Sequence, residues 1–152
     1  MSTTVKILIF TLTLLGMVSC KNNAKKPFGK DPALEKRKWE LVEISGTKVS
    51  LPDGVQKISL EFEGQSNTFG GNAGCNQCNG MYTTHEDLIK LHMMAVTKMA
   101  CPAMEMENLF LKKMEETTRY ELKKVKENKV WVEYLHLFKE LEQVMVFKST
   151  TP

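Results

Sequence analysis

Ile58, Leu60 and Phe62 alternate with Ser59, Glu61 and Glu63, the two-residue period of a strand with one face in a core and the other in water. Short segments of that kind, separated by turn residues, run from about Lys38 to the end of the chain. Trp39 to Ile44 makes a first strand, closed by Ser45-Gly46, and Leu51-Pro52-Asp53-Gly54 reads as a turn. Phe69 to Gly74 is glycine-dense, which weakens a strand but permits bulges and close backbone approach. Met81-Tyr82-Thr83 and Leu88 to Leu91 flank a His85-Glu86-Asp87 turn, and Tyr120 to Val125, Val130 to Leu135 and Val144 to Phe147 continue the series, with a hairpin turn at Glu127-Asn128. One segment has a different period. Between Pro102 and Thr117, apolar Leu109 and Phe110 precede Met114 by five and four residues, with acids first and Lys112 and Lys113 later, which predicts a helix. The expectation is an α+β, mostly β fold: an antiparallel sheet with one main α-helix and no parallel βαβ alternation.

The amino-terminal residues follow neither period. Lys6 precedes an apolar run from Ile7 to Val18, about 18 Å long as a helix against the roughly 30 Å needed to span a bilayer. That pattern predicts a signal peptide over residues 1–19. It ends at Met17-Val18-Ser19-Cys20, which resembles the lipobox of bacterial lipoproteins and implies lipidation (palmitate among the acyl chains) of Cys20. Residues 20–36 are polar, basic and interrupted by Pro and Gly, and read as the lipidated terminus and a flexible tether. The folded domain is expected over 37–149. Lys21, not an aspartate, follows Cys20; by resemblance to enterobacterial sorting this implies the outer membrane of a bacterial cell envelope, with the domain facing the periplasm.

Composition narrows the function. Of 152 residues, 21 are basic and 18 acidic, a net charge of +3, too weak a field to recruit nucleic acid. The sequence contains no G-x-S-x-G, no H-E-x-x-H and no phosphate-binding glycine loop. Glu105, Glu107, Glu115 and Glu116 share the predicted helix with Lys112 and Lys113, which reads as a solvated face with modest ion pairs.

Export would leave Cys75, Cys78 and Cys101 in an oxidising compartment, an odd number. An extended Cys75-Asn76-Gln77-Cys78 separates its end Cα atoms by about 10 Å, beyond bridging range. Cys75 with Cys101 is the favoured disulfide; Cys78 with Cys101 is the alternative. The C-x-x-C spacing also admits thiol-redox chemistry, but no helix N-terminus follows it to depress a thiol pKa. Zinc would need His85 or His92 to complete three thiolates. His92, Met93, Met94, Met99 and Cys101 are soft donors suited to copper(I), but the favoured reading is that Met94 and Met99 fill a core around the helix, with Met93 and His92 at its edge. Tyr134 and Phe138, near His136 and Leu137, are candidates to line a groove.

Gly70-Gly71-Asn72-Ala73-Gly74-Cys75-Asn76 with Gly80 and Tyr82, then Met94 to Pro102, with Glu107, Phe110 and Tyr120, resemble the META domain, also called the HslJ family; the opening Trp39-Glu40-Leu41 does too. The resemblance marks Trp39, Gly74, Asn76, Gly80, Tyr82, Thr97, Met99 and Pro102 as structural motif residues. It implies a sheet curled into an incomplete barrel around or beside one helix, as in envelope lipoproteins and stress-inducible proteins, and a similarity in fold to lipid-cavity-containing pilot lipoproteins. It implies no catalytic residue, metal or cofactor. Cys78 departs from the family pattern. The functional expectation is a non-enzymatic, monomeric envelope lipoprotein, anchored to the membrane by its N-terminal lipid, that binds a partner protein or an apolar ligand during envelope stress. The alternative is a redox or soft-metal protein using Cys75, Cys78 and Cys101.

Overall fold

Alternation becomes strand along nearly the whole domain. In the computed structural model, which describes residues 31–35 and 37–150, the elements are β1 (Lys38–Ile44), β2 (Thr47–Lys48), β3 (Ser59–Glu63), β4 (Thr68–Asn72), β5 (Gln77–His85), β6 (Leu88–Val96), α1 (Met104–Glu116), β7 (Arg119–Glu127), β8 (Val130–Lys139) and β9 (Glu142–Ser149). The signal run, Cys20 and most of the tether lie outside the described residues.

The strands form one antiparallel sheet in the order β2-β1-β3-β4-β5-β6-β7-β8-β9, and β1 also pairs with β9, so the sheet curls into a ring with β2 outside it. The ring is uneven. β1 and β9 share a ladder from Trp39–Ser149 to Ile44–Met145, whereas β6 and β7 share only the pair Leu88–Arg119. This is the incomplete barrel that the family resemblance implies. Between β6 and β7 the chain makes α1, which buries Glu107, Phe110 and Met114, and the Phe110 ring lies 6.4 Å from Phe147 of β9. The helix is two residues shorter at its start than the sequence suggests; Pro102 sits in the preceding turn. The β7–β8 hairpin turns at Asn128 and Lys129, both with positive φ, the type I′ geometry that matches strand twist.

Inward-facing positions pair between neighbouring strands: Trp39 beside Leu60, Leu41 beside Phe147, Phe62 beside Phe69 and Tyr120 beside Leu137. The Phe62 and Tyr82 rings meet edge-on at 5.0 Å. Trp39, Tyr82, Tyr120, Phe69, Phe110 and Phe147 are fully buried, so the ring's centre is a packed core and not an open acyl-chain cavity. At Gly71 and Gly80 neighbours come too close for a Cβ: one on Gly71 would run into the Ser59 carbonyl oxygen, and one on Gly80 would lie 2.7 Å from the Phe69 ring edge.

The tether expectation fails for Asp31 to Glu35, which belong to the folded body. Leu34 is fully buried, its carbonyl accepts the Trp39 indole N–H at 2.9 Å, and Asp31 accepts the Tyr120 hydroxyl at 2.6 Å. Buried indole and phenol groups require acceptors, and here the incoming chain supplies them.

Candidate functional site

The motif residues converge where the β4–β5 turn meets the start of α1. Gly74 has φ +115°, a left-handed conformation suited to glycine, and its N–H donates to Asn72 Oδ1 at 2.7 Å. The turn it makes sends Cys75 toward the loop before α1, where it forms a disulfide with Cys101 across a Cα–Cα distance of 5.6 Å. Of the two pairings open in the sequence, this is the one present, and among the described residues Cys78 is the unpaired, buried thiol.

Beneath the disulfide lies Glu107, which is only 2% exposed. Its Oε2 accepts the backbone N–H groups of Cys75 at 3.0 Å and Asn76 at 2.7 Å, and its Oε1 accepts the Asn76 side-chain amide at 2.7 Å. Asn76 in turn donates to the Met99 carbonyl and accepts from the Thr97 hydroxyl and the Met99 N–H. The helix, the β4–β5 turn and the 97–101 loop are thus joined by one carboxylate and one amide. This corrects the solvated-face reading of Glu107. Glu107 lies three residues before Phe110 and seven before Met114, on the buried stripe of α1, so the helical spacing carried one signal and its presence among the residues of the family resemblance another.

Met99 is the second correction. It was expected in the core, yet its side chain is 65% exposed, because the motif uses its backbone N–H and C=O. Met93 is also exposed, on a positive-φ residue where the β5–β6 register shifts between Asn79 and Met81. Of the soft donors of the copper reading, Cys101 is taken up in the disulfide, and no group of three or more His, Cys, Asp or Glu among the described residues is placed to hold a metal.

A shallow pocket of about 360 Å³ opens beside the disulfide, lined by Gly74, Gln77, Thr97, Met99 and Pro102. Trp39, Gly80 and Tyr82 are elsewhere, in the ring's interior. The Tyr82 hydroxyl donates to Glu35 at 3.3 Å, and burial together with that carboxylate raises its pKa.

With this geometry, the family comparison is decisive: the META domain model matches residues 32–151. The chain belongs to the META domain family. Two solved structures share the fold. An NMR structure of a protein from Burkholderia xenovorans is 22% identical with a TM-score of 0.58, covering 88% of this chain and 97% of its own. A second NMR structure is 17% identical with a TM-score of 0.53, covering 77% and 92%. No curated protein matches.

The thiol of this META domain is chemically quiet. Burial, then the negative charge of Glu107, push Cys78 up to about 11, so at neutral pH it is protonated, a poor nucleophile and a poor metal ligand. On the outside of the ring an open groove of about 1130 Å³ runs across β3, β4 and β5, with Arg37 and Glu61 along it and Met81 and Met93 as apolar contacts. Gly70 contributes to its floor. Tyr134, His136 and Phe138 form an outward ladder on β8, with Arg119 over the Phe138 ring, and stand apart from the groove.

Proposed function

We propose that the chain is a non-enzymatic lipoprotein of the bacterial envelope, lipid-anchored through Cys20, whose META domain binds a partner polypeptide during envelope stress. The observation that carries this reading is the Cys75–Cys101 disulfide beneath which every oxygen of Glu107 is engaged by an N–H group. A structural bridge of that kind belongs to an oxidising compartment, which agrees with a short apolar leader ending at a lipobox-like Cys20. The carboxylate is committed to holding the fold, leaving no free acid or base there. With the ring's centre packed, the outer groove across β3–β5 is the better recognition surface, so a polypeptide is favoured over an acyl chain.

Intact mass of the protein from its own envelope, with and without reductant, tests the reading. The expected species lacks residues 1–19, carries diacylglycerol and a further acyl chain on Cys20, and gains two hydrogens on reduction. A chain beginning at Met1 with all thiols reduced overturns it. Native mass spectrometry of the same extract distinguishes a bound polypeptide from a bound lipid.

A further inference from the structure

The β7–β8 hairpin extends past both of its neighbours. β8 is paired with β9 only from Tyr134 onward, and β7 meets β6 only at Arg119, so the rungs Lys124–Glu133, Val125–Val132, Lys126–Trp131 and Glu127–Val130 form a free two-stranded ribbon. Its end is apolar on both sides. Val125 and Val130 share one face and Trp131 stands on the other, at 44%, 64% and 65% exposure. Lysines flank them, and the carboxylate on the last rung, Glu127, is paired with Lys148. Lys126 lies 6.0 Å from the centre of the Trp131 ring, Lys129 is in the turn, and, unlike Lys124, which pairs with Glu133, neither has a carboxylate partner among the described residues.

We propose that this tip is a second membrane contact, inserting Trp131 and its valine neighbours into the headgroup boundary of an anionic lipid surface. A protein partner docking on a ribbon covers one face; apolar groups on both faces call for a medium that surrounds the tip. An indole beside unpaired lysines is the chemistry of the bilayer interface, where aromatic rings sit at headgroup level and cations meet lipid phosphate. The position also fits. Trp39 pairs with Ser149 and Lys148 with Tyr134, so the ribbon leaves the ring at the end where the chain enters β1, and Arg37 ion-pairs with Glu133 on the ribbon itself. The chain between Cys20 and Asp31 reaches at most about 40 Å. The proposal rests on the anchored reading for its membrane and assigns the tip the task of fixing the domain's orientation upon it.

The mature protein in vesicles tests it. Trp39 is fully buried, so quenching by brominated acyl chains and by aqueous iodide reports on Trp131. In vesicles containing phosphatidylglycerol, Trp131 emission should shift to the blue and be quenched by bromolipid; in pure phosphatidylcholine it should remain open to iodide. The double variant K126Q/K129Q should lower the docked-to-undocked ratio about thirtyfold, roughly fivefold per lysine. Emission that stays aqueous in the anionic vesicles, or insertion indifferent to lipid charge and to the double variant, overturns the proposal. The acyl mass on Cys20, measured on the same sample, separates loss of the anchor from failure of the tip.

Discussion

Glu107 takes two backbone N–H groups and the Asn76 amide on its two oxygens, an arrangement that an amide cannot copy, because either orientation of a glutamine sets an NH2 against an N–H donor. Glu107→Gln should therefore cost about 3 kcal/mol, the scale for losing buried hydrogen bonds to a charged acceptor, measured as a lower urea midpoint at unchanged m-value. A variant within about 0.5 kcal/mol of wild type would mean that the turn is held by the disulfide alone. Cys78 makes a prediction with a defined pH window. Its ordinary pKa of 9.0 rises to about 11 in the fold, so the native state keeps its proton where the unfolded chain has lost it. Stability from this source is complete below pH 9 and is lost as pH climbs through 11, by up to about 3 kcal/mol. Tyr82 and Tyr120 are raised as well, chiefly by burial, and add to the alkaline loss. Chemical denaturation between pH 8 and 11 should show a shallower decline for Cys78→Ala than for wild type; parallel curves would rule out the thiol as a contributor.

Among the elements, the disulfide and the helix were legible to very different extents. Extended geometry disposed of a Cys75–Cys78 bridge and left two pairings, and the favoured one is present because Gly74 turns the chain toward the loop before α1. The strands were legible wherever one face is buried, as at Ile58 to Phe62, since a period of two has a single physical cause. Glu107 and Met99 were not, because their roles are set by partners about thirty and twenty residues away, and no local period encodes which backbone donors a carboxylate will meet. Leu34 and Asp31 were missed for a similar reason: a lone leucine among polar residues reads as tether until Trp39 and Tyr120 are seen to need its carbonyl and the neighbouring carboxylate. At this scale the bridge is the element that closes a loop of sequence separation 26, worth about 3 kcal/mol through the unfolded state. Cys101→Ser should lower the unfolding free energy by about that amount, and adding reductant to the variant should change nothing further. A reductant effect that persists in the variant would show that the lost stability does not come from this bridge.

At the scale of the whole molecule, the ring's strength is distributed unequally, and this governs how it opens. The β1–β9 seam is a ladder of five pairs interrupted by one register shift between Leu41 and Glu43, whereas across β6–β7 two backbone bonds flank the single pair: Ile89 N–H to Thr118 O at 3.0 Å and Tyr120 N–H to Asp87 O at 2.9 Å. The packing of Phe110 and Met114 beneath α1 compensates for the missing ladder with apolar burial, which is not directional and yields more gradually than a row of hydrogen bonds. Sub-global opening should therefore begin at that seam, with α1 swinging on the Glu107 latch while β1, β9 and β8 stay paired. Native-state hydrogen exchange should give Ile89 and Tyr120 opening free energies at least about 2 kcal/mol below that of Ser45, whose N–H group bonds to Val144 at the β1–β9 seam. In Glu107→Gln the gap should widen, because the latch that limits the swing is gone while the β1–β9 ladder is untouched. Equal protection at the two seams would mean that helix packing closes the ring as firmly as strand pairing, and that the molecule opens only as a whole.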